Sequence, residues 1–287
     1  MKKVVLNTIA YAVAAGIMFT ACKKEDEAPV QPTEKAVEDN SMSMAESDEV
    51  LAIAEEEMNS NYSNMRIDAT QETHENSHGA TITFTPKGSN ATGSILIDFG
   101  TTGIKSDVDG KTRKGKILIT FTGKYRTPGT TQTITFDNYQ VNGNKVEGTQ
   151  ILTHAVENNT YKTNVKITGG KISYTDNTTI TWNSEHVRTW NLNGTLLNFE
   201  DDEFTVSGTS SGKARDGKNF SSVIAVGTPL LWKFSCLSES RFVAVSGIVK
   251  VMPEGGQEWT ADYGNGSCDR EVVVKSGNFT ATITLEK

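Results

Sequence analysis

The feature that most limits how this 287-residue chain can fold is the alternation of apolar and polar residues with a period of two. In segment 161–167 the odd-numbered residues are Tyr, Thr, Val and Ile, whereas the even-numbered residues are Lys, Asn and Lys. Segments 81–84, 116–121 and 279–285 alternate in the same way. Because successive side chains of a strand point to opposite faces, these runs predict antiparallel strands with one buried and one solvated face.

Dipeptides that favour tight turns separate these runs, and no helical segment lies between the strands, which argues against βαβ units. Asn and Gly supply the positive φ angles that two-residue hairpins need. We therefore predict an all-β fold, an antiparallel meander of a dozen or more strands curled into barrel-like or sandwiched layers. The turn signals are Asp109-Gly110, Asn142-Gly143, Gly169-Gly170, Asp176-Asn177, Asn193-Gly194, Asp216-Gly217 and Asn265-Gly266.

One short N-terminal helix is expected over about residues 44–58. Segment 43–46 fits a capping box, with serine first and glutamate three residues later. Apolar residues then recur at helical spacing. Because this stripe is narrow, we expect the helix to lean on the sheet with one face, and binding of a partner is the alternative. The stripe consists of Val50, Leu51, Ala54 and Met58.

The first 22 residues have the features of an export signal. Lys2 and Lys3 precede a mostly apolar run, Val4 to Phe19, which is shorter than the ~20 residues of a membrane-spanning helix. The run ends in Thr20-Ala21-Cys22, an order that resembles a bacterial lipobox. The resemblance implies that residues 1–21 are removed and that lipid is attached to Cys22. An ordinary signal peptide with an incidental cysteine, or an N-terminal anchor, is the alternative.

The remaining chain divides by composition. Residues 22–42 are polar and acidic without apolar periodicity, which predicts a lipidated cysteine followed by a flexible tether. We expect a helix and a polar loop in residues 43–80 and the antiparallel β domain in 81–287. A subdivision near 198–203, where four of six residues are acidic, is left open.

Charge and cysteine content limit the environment and the partners. The full chain carries a formal net charge of −7, and loss of Lys2 and Lys3 makes it −9, which argues against nucleic acid as a partner. With Cys22 assigned to lipid, Cys236 and Cys268 remain as one pair. An exported chain meets an oxidising compartment, so we predict a disulfide, with two free buried thiols as the alternative. The prediction assumes that the strands next to the two cysteines are neighbours.

Further segments resemble those of surface lipoproteins of the Bacteroidetes type. Residues 23–27, Lys-Lys-Glu-Asp-Glu, are similar to the export signal of that group, and segments 98–117 and 262–269 are similar to stretches in its β-rich members. The group has no settled activity, so the resemblance implies location and fold only. The implied location is the outer membrane with the protein facing the cell exterior, and the periplasmic face is the alternative.

The segment His74-Glu75-Asn76-Ser77-His78 matches the HExxH motif, in which two histidines on one helix bind zinc and the glutamate activates water. Here weak helix formers and polar flanks surround the motif, and a strand is expected to begin at Thr81. We interpret the segment as a polar loop. No catalytic residue is assigned, and His74 and His78 are minor candidates for metal binding.

Four tryptophans allow two interpretations, a sugar-stacking platform or core packing. Trp182 and Trp190 have the same parity in one predicted strand, about 26 Å apart, which is too far for one sugar ring between them. Core packing is therefore preferred for these residues and for Trp232 and Trp259.

These observations favour a lipid-anchored β protein with a non-enzymatic binding or structural role. No cofactor is expected apart from covalent lipid on Cys22. The expected partners are the membrane, reached through that lipid, and an unknown protein, glycan or hydrophobic ligand. One alternative is a carrier that holds a lipid or another hydrophobic ligand inside the curled sheet. A less favoured alternative is a zinc metallopeptidase at His74, Glu75 and His78.

Overall fold

The computed structural model describes residues 32–61, 71–87, 92–191, 201–239 and 244–285. These residues contain one α-helix and one sheet of sixteen antiparallel strands, which confirms the all-β prediction. The helix α1 spans Pro32–Ser60, and a 3₁₀ helix, η1, spans Phe234–Glu239. The strands are β1 (Glu72–Glu75), β2 (Thr81–Lys87), β3 (Thr92–Asp98), β4 (Ile104–Lys105), β5 (Thr112–Phe121), β6 (Thr131–Val141), β7 (Asn144–Glu157), β8 (Thr160–Ser173), β9 (Thr179–Asn191), β10 (Glu203–Lys213), β11 (Asn219–Ile224), β12 (Leu230–Lys233), β13 (Ser246–Pro253), β14 (Trp259–Asn265), β15 (Glu271–Ser276) and β16 (Phe279–Thr284).

Most strands pair with their neighbours in sequence, as expected of a meander. The order is β1-β2-β3-β5-β6-β7-β8-β9-β10-β11-β13-β14-β15-β16, and β4 pairs with β5. Strands β11 and β12 lie end to end, because both pair with β10 on one side and with β13 on the other. The strands therefore form one continuous hydrogen-bonded sheet.

Several predicted turns are present, and one is not. Asn142 and Gly143 have φ angles of 49° and 86° and join β6 to β7. Gly169-Gly170 lies inside β8 instead, where the register with β9 shifts. A Cβ atom on Gly170 would lie 2.4 Å from the Trp182 ring, so close packing explains this glycine. Asn193-Gly194 lies outside the described residues.

Helix α1 is longer and more deeply buried than expected. It begins at Pro32, so the prediction of a flexible tether is wrong for residues 32–42. The helix packs against the sheet, as expected, but the sheet covers polar helix residues as well as the apolar stripe. Polar groups on the strands hydrogen-bond or pair with several of these residues and make their burial tolerable. The buried polar helix residues include Asp39, Asn40, Ser41, Ser43, Ser47, Asp48, Glu55 and Glu57.

The sheet curves around this helix. The adjacent helix residues Asp48 and Glu49 form ion pairs with Arg188 of β9 and Arg113 of β5, respectively. These two strands are four positions apart in the sheet, a separation of about 19 Å if the sheet were flat. Neighbouring helix residues contact both strands because the sheet bends around them.

Two apolar clusters fill the space between helix and sheet. One joins Val50, Leu51 and Met58 of the helix to the inner faces of β2 to β9. The other joins Ala36 and Val37 to the inner faces of β9 to β16. The described residues from Pro32 onward belong to one compact unit. Residues 198–200 lie outside the described residues, so a subdivision near 198–203 stays a prediction. Strand pairing begins in β1, within the segment predicted as a polar loop.

Candidate functional site

Three arginines outside the helix form ion pairs with acidic residues of α1. Arg188 Nη1 lies 3.2 Å from Glu55 Oε1, and the same guanidinium pairs with Asp48. Arg215, in the turn after β10, places Nη2 2.6 Å from Asp39 Oδ1. We call this set the ionic shell: Glu38, Asp39, Asp48, Glu49, Glu55, Arg113, Arg188 and Arg215.

Burial opposes ionisation within the ionic shell. It raises the pKa of Glu55 and of Asp48, although Arg188 acts in the opposite direction. Burial also disfavours the charged form of Glu49, but Lys111 and Arg113 outweigh it and lower the pKa of Glu49. Buried ion pairs of this kind define geometry more than they add net stability. The ionic shell therefore positions the helix inside the sheet.

The HExxH segment forms part of a hairpin and not a helix. His74 and Glu75 lie on β1, whereas His78 lies in the turn before β2. On a helix two histidines four residues apart face the same side, but a strand followed by a turn does not impose that geometry. Within the described ranges, no group of three or more His, Cys, Asp or Glu side chains is placed to hold a metal ion.

Both histidines of this hairpin face the end of helix α1. His74 Nε2 lies 3.6 Å from Glu57 Oε2, and His78 Nε2 lies 3.7 Å from Glu56 Oε2. His78 Nδ1 also lies 3.0 Å from Ser106 Oγ. Burial raises the pKa of Glu57 to about 7 and lowers the pKa of His78. The hairpin thus holds the C-terminal turn of the helix through titratable groups.

Of the other two histidines, His154 is buried inside the sheet and His186 on β9 is partly exposed. His154 lies 3.1 Å from Gln132 Nε2 through its own Nε2 and 3.1 Å from Thr163 Oγ1 through Nδ1. Burial lowers the pKa of His154 and of His186 to about 4 in each case. Both rings are therefore neutral at physiological pH, and the contacts of His154 are those of a core histidine.

All four tryptophans belong to the core, which confirms the preferred interpretation of core packing. Trp182 and Trp190 are 4% and 7% exposed, and Trp232 and Trp259 are 2% exposed. Trp190 packs on Phe204 with ring centroids 4.8 Å apart. The alternative of a sugar-stacking platform is wrong, because none of these rings is on the surface.

A groove of about 580 Å³ lies on the outer face of β8, β9, β10 and β11. Its volume is within the ~300–1,000 Å³ typical of ligand sites. Strand register aligns its members into one row across Lys166, Glu185, Thr209 and Val223, and a second row across Asn183, Ser211 and Ser221. We call these seven exposed residues together with Thr168 the outer groove.

The outer groove is electrically balanced and rich in hydroxyl groups. Lys166 Nζ lies 2.6 Å from Glu185 Oε1, so its two charged side chains neutralise each other. Asn183 Oδ1 accepts a hydrogen bond from the Gly169 amide at 2.8 Å, which leaves its amide nitrogen for other partners. This surface is not among the sites predicted from the sequence, although hydroxyl residues on the polar parity of consecutive strands are a usable signal for it.

The inner face of the same strands offers little space. A cavity of about 10 Å³ lies between helix α1 and β8 to β10, with Ser184, His186 and Arg188 among its lining residues. That volume matches about one water molecule. At this point helix α1 fills the space inside the curled sheet.

The predicted disulfide is confirmed. Cys236 in η1 and Cys268 between β14 and β15 are bonded, with Cα atoms 5.4 Å apart. The assumption that β12 and β15 are neighbours is wrong, because β13 and β14 lie between them in the sheet. The bond reaches across because η1 carries Cys236 away from β12. Cys22 lies outside the described residues.

Within the described ranges, no helix combines the length and the apolar character needed to cross a bilayer.

No protein family, curated protein or solved structure matches this chain.

Proposed function

We propose that this protein is a lipid-anchored, non-enzymatic protein of the outer membrane that binds a neutral glycan in the outer groove. The observation that carries the proposal is the groove of about 580 Å³ lined by hydroxyl and amide side chains. Covalent lipid on Cys22 would anchor the chain, with the groove facing the cell exterior. The Cys236–Cys268 disulfide supports an exported location, since such bonds persist in oxidising compartments.

The chemistry of the outer groove favours a neutral ligand. The hydroxyls of Thr209, Ser211 and Ser221 each donate one hydrogen bond and accept others, which suits the hydroxyls of a sugar. The Lys166–Glu185 pair contributes no net charge, so the groove has no electrostatic preference for an anion or a cation. The binding energy would come from several hydrogen bonds rather than from aromatic stacking.

Two alternative functions receive less support. A carrier of hydrophobic ligands needs space inside the sheet, and α1 occupies that region beside a cavity of about 10 Å³. A zinc metallopeptidase needs converging ligands, and the HExxH residues lie on a hairpin where each histidine faces a helix glutamate. The described residues therefore support both functions less well than they support binding of a ligand on the outer face.

An oligosaccharide array tests the proposal. Full-length protein carrying Cys22→Ser would be applied to immobilised neutral glucans, mannans and galactans. Ser211→Lys places a long charged side chain in the groove without touching the core, and we expect it to weaken binding at least ~10-fold. Thr120→Lys makes the same kind of change on the exposed face of β5 and should leave binding unchanged. Retention of no oligosaccharide, or equal binding by the Ser211→Lys variant, would refute the assignment.

A further inference from the structure

The two strands at the ends of the sheet path have different chemistry. Strand β1 has four residues, of which Glu72, His74 and Glu75 are ionisable. Strand β16, Phe279–Thr284, has six residues with the sequence FTATIT and contains neither charge nor proline. Edge strands usually carry charges, prolines or bulges that prevent pairing with another chain. Strand β1 meets that expectation, and β16 does not.

Strand β16 is also regular. Six consecutive residue pairs join it to β15, from Ser276 opposite Phe279 to Glu271 opposite Thr284, without a register shift. Among the described strands, β15 is the only one paired with β16. The edge of β16 that faces away from β15 therefore presents a row of backbone donors and acceptors in an extended conformation.

The position of β16 is fixed at the open end of the hairpin it forms with β15. Arg270 Nη1 donates a hydrogen bond to the Leu285 carbonyl at 2.8 Å, and the Leu285 amide donates to the Arg270 carbonyl at 3.0 Å. The disulfide at Cys268 anchors the chain just before β15. A strand near a chain terminus frays unless it is held in this way. Holding the strand lowers the ordering cost of pairing with another chain.

We propose that two copies of this protein pair through β16, antiparallel and about a two-fold axis. With Ala281 opposite Ala281 of the second copy, Phe279 lies opposite Ile283 and Thr280 opposite Thr282. Apolar residues then meet apolar residues on one face, and hydroxyl residues meet on the other. The same arrangement of β1 would place Glu72 opposite Glu75, a repulsive pair of like charges.

The interface is small, and Phe279 is 38% exposed in the single chain. Pairing through a single strand of six residues buries less surface than a stable permanent interface, so the dimer should dissociate on dilution. An isologous interface between two copies needs a self-complementary surface. The uncharged sequence of β16 meets this requirement, so the partner is a second copy.

A charge-exchange experiment tests the pairing. Full-length protein carrying Cys22→Ser, which removes any association through lipid, should sediment as two chains at millimolar concentration. The double variants Thr280→Lys with Thr282→Lys, and Thr280→Glu with Thr282→Glu, place like charges opposite each other, so each alone should sediment as one chain. A mixture of the two should recover the mass of two chains. Thr120→Lys on β5 should remain a dimer, because it lies in a strand paired on both sides.

A second variant tests the pairing independently of whether the charged variants fold. Ala281→Cys should form a disulfide-linked dimer under mild oxidation, since directly opposed residues of antiparallel strands are about 4.5–5.5 Å apart between Cα atoms. A single-chain mass for the Cys22→Ser protein at millimolar concentration would overturn the proposal. So would unchanged dimers in both charged variants, or an absence of cross-linked Ala281→Cys dimer.

Discussion

Arg188 of β9 and Glu55 of α1 are 133 residues apart in sequence, yet Nη1 of the arginine lies 3.2 Å from Oε1 of the glutamate. The two side chains are 1% and 2% exposed. Asp48 completes the group from the preceding part of the helix. Each charge depends on the others, because a buried charge without a partner has lost its hydration and gained nothing in exchange.

Replacing Arg188 should therefore destabilise the fold strongly. Arg188→Met leaves two buried acids without their partner, and we expect a loss of about 3–5 kcal/mol in the free energy of unfolding. Thermal and chemical denaturation would measure it. Lys250→Met is the matched control, because it removes a cation from an exposed pair with Glu258, worth roughly 0–1 kcal/mol. Equal effects of the two variants would contradict the assigned role of the ionic shell.

The carboxyl group of Glu57 should make stability depend on pH. Burial raises the pKa of Glu57 to about 7, so the folded state binds a proton more tightly than the unfolded chain does. This contribution to stability is full below about pH 4.5 and is lost as pH rises through about 7. Glu57→Gln should remove that loss and raise stability above pH 7 by about 1–3 kcal/mol relative to the native chain.

Chemical denaturation between pH 4 and pH 8 would measure this gain. Glu185→Gln is the control, because the exposed pair with Lys166 lowers the pKa of Glu185, the direction opposite to that of Glu57. That variant should show no gain in stability above pH 7. A Glu57→Gln protein whose stability follows the native pH profile would show that Glu57 is not buried as an acid.

Loss of the disulfide should lower stability without abolishing the fold. The bond closes a loop with a sequence separation of 32, which corresponds to about 3–4 kcal/mol in the chain-entropy treatment. Cys236→Ser and Cys268→Ser should lower the thermal midpoint by similar amounts, because either change removes the same bond. Thiol titration of denatured, unreduced Cys22→Ser protein should detect no free thiol. Two reactive thiols would contradict the bond.

Cys22→Ser should release the protein from membranes. The expectation rests on the lipobox-like order of Thr20, Ala21 and Cys22 after an apolar run. Fractionation after a high-salt wash would locate the protein, and metabolic labelling with a fatty acid would detect the lipid directly. Cys236→Ser is the matched control, since it removes a different cysteine and should remain in the membrane fraction. A Cys22→Ser protein that stayed with membranes would place the anchor elsewhere.

The sequence predicted the strands better than the helix and the site. Local backbone preferences determine the alternation in segments such as 161–167 and the turn at Asn142-Gly143. These preferences depend on residues that are close in sequence, so the sequence alone predicts them. The Gly169-Gly170 dipeptide predicts a turn, and the contact that explains Gly170 inside a strand comes from Trp182 in the next strand, which no local pattern reveals. The outer groove is not predicted for the same reason, since one of its rows crosses four strands and the other crosses three.

The sequence by itself determined the antiparallel β class, and it identified Cys236 and Cys268 as a pair, because periodicity and a count of cysteines are properties of the chain. Only the tertiary structure decided that α1 lies inside the sheet. The helix has a narrow apolar stripe and many acids, which locally indicate a solvated surface helix. Burial of acids such as Asp39, Glu49 and Glu55 becomes tolerable when Arg215, Arg113 and Arg188 approach from distant positions. Such compensation is a property of contacts between remote residues, and no local pattern contains it.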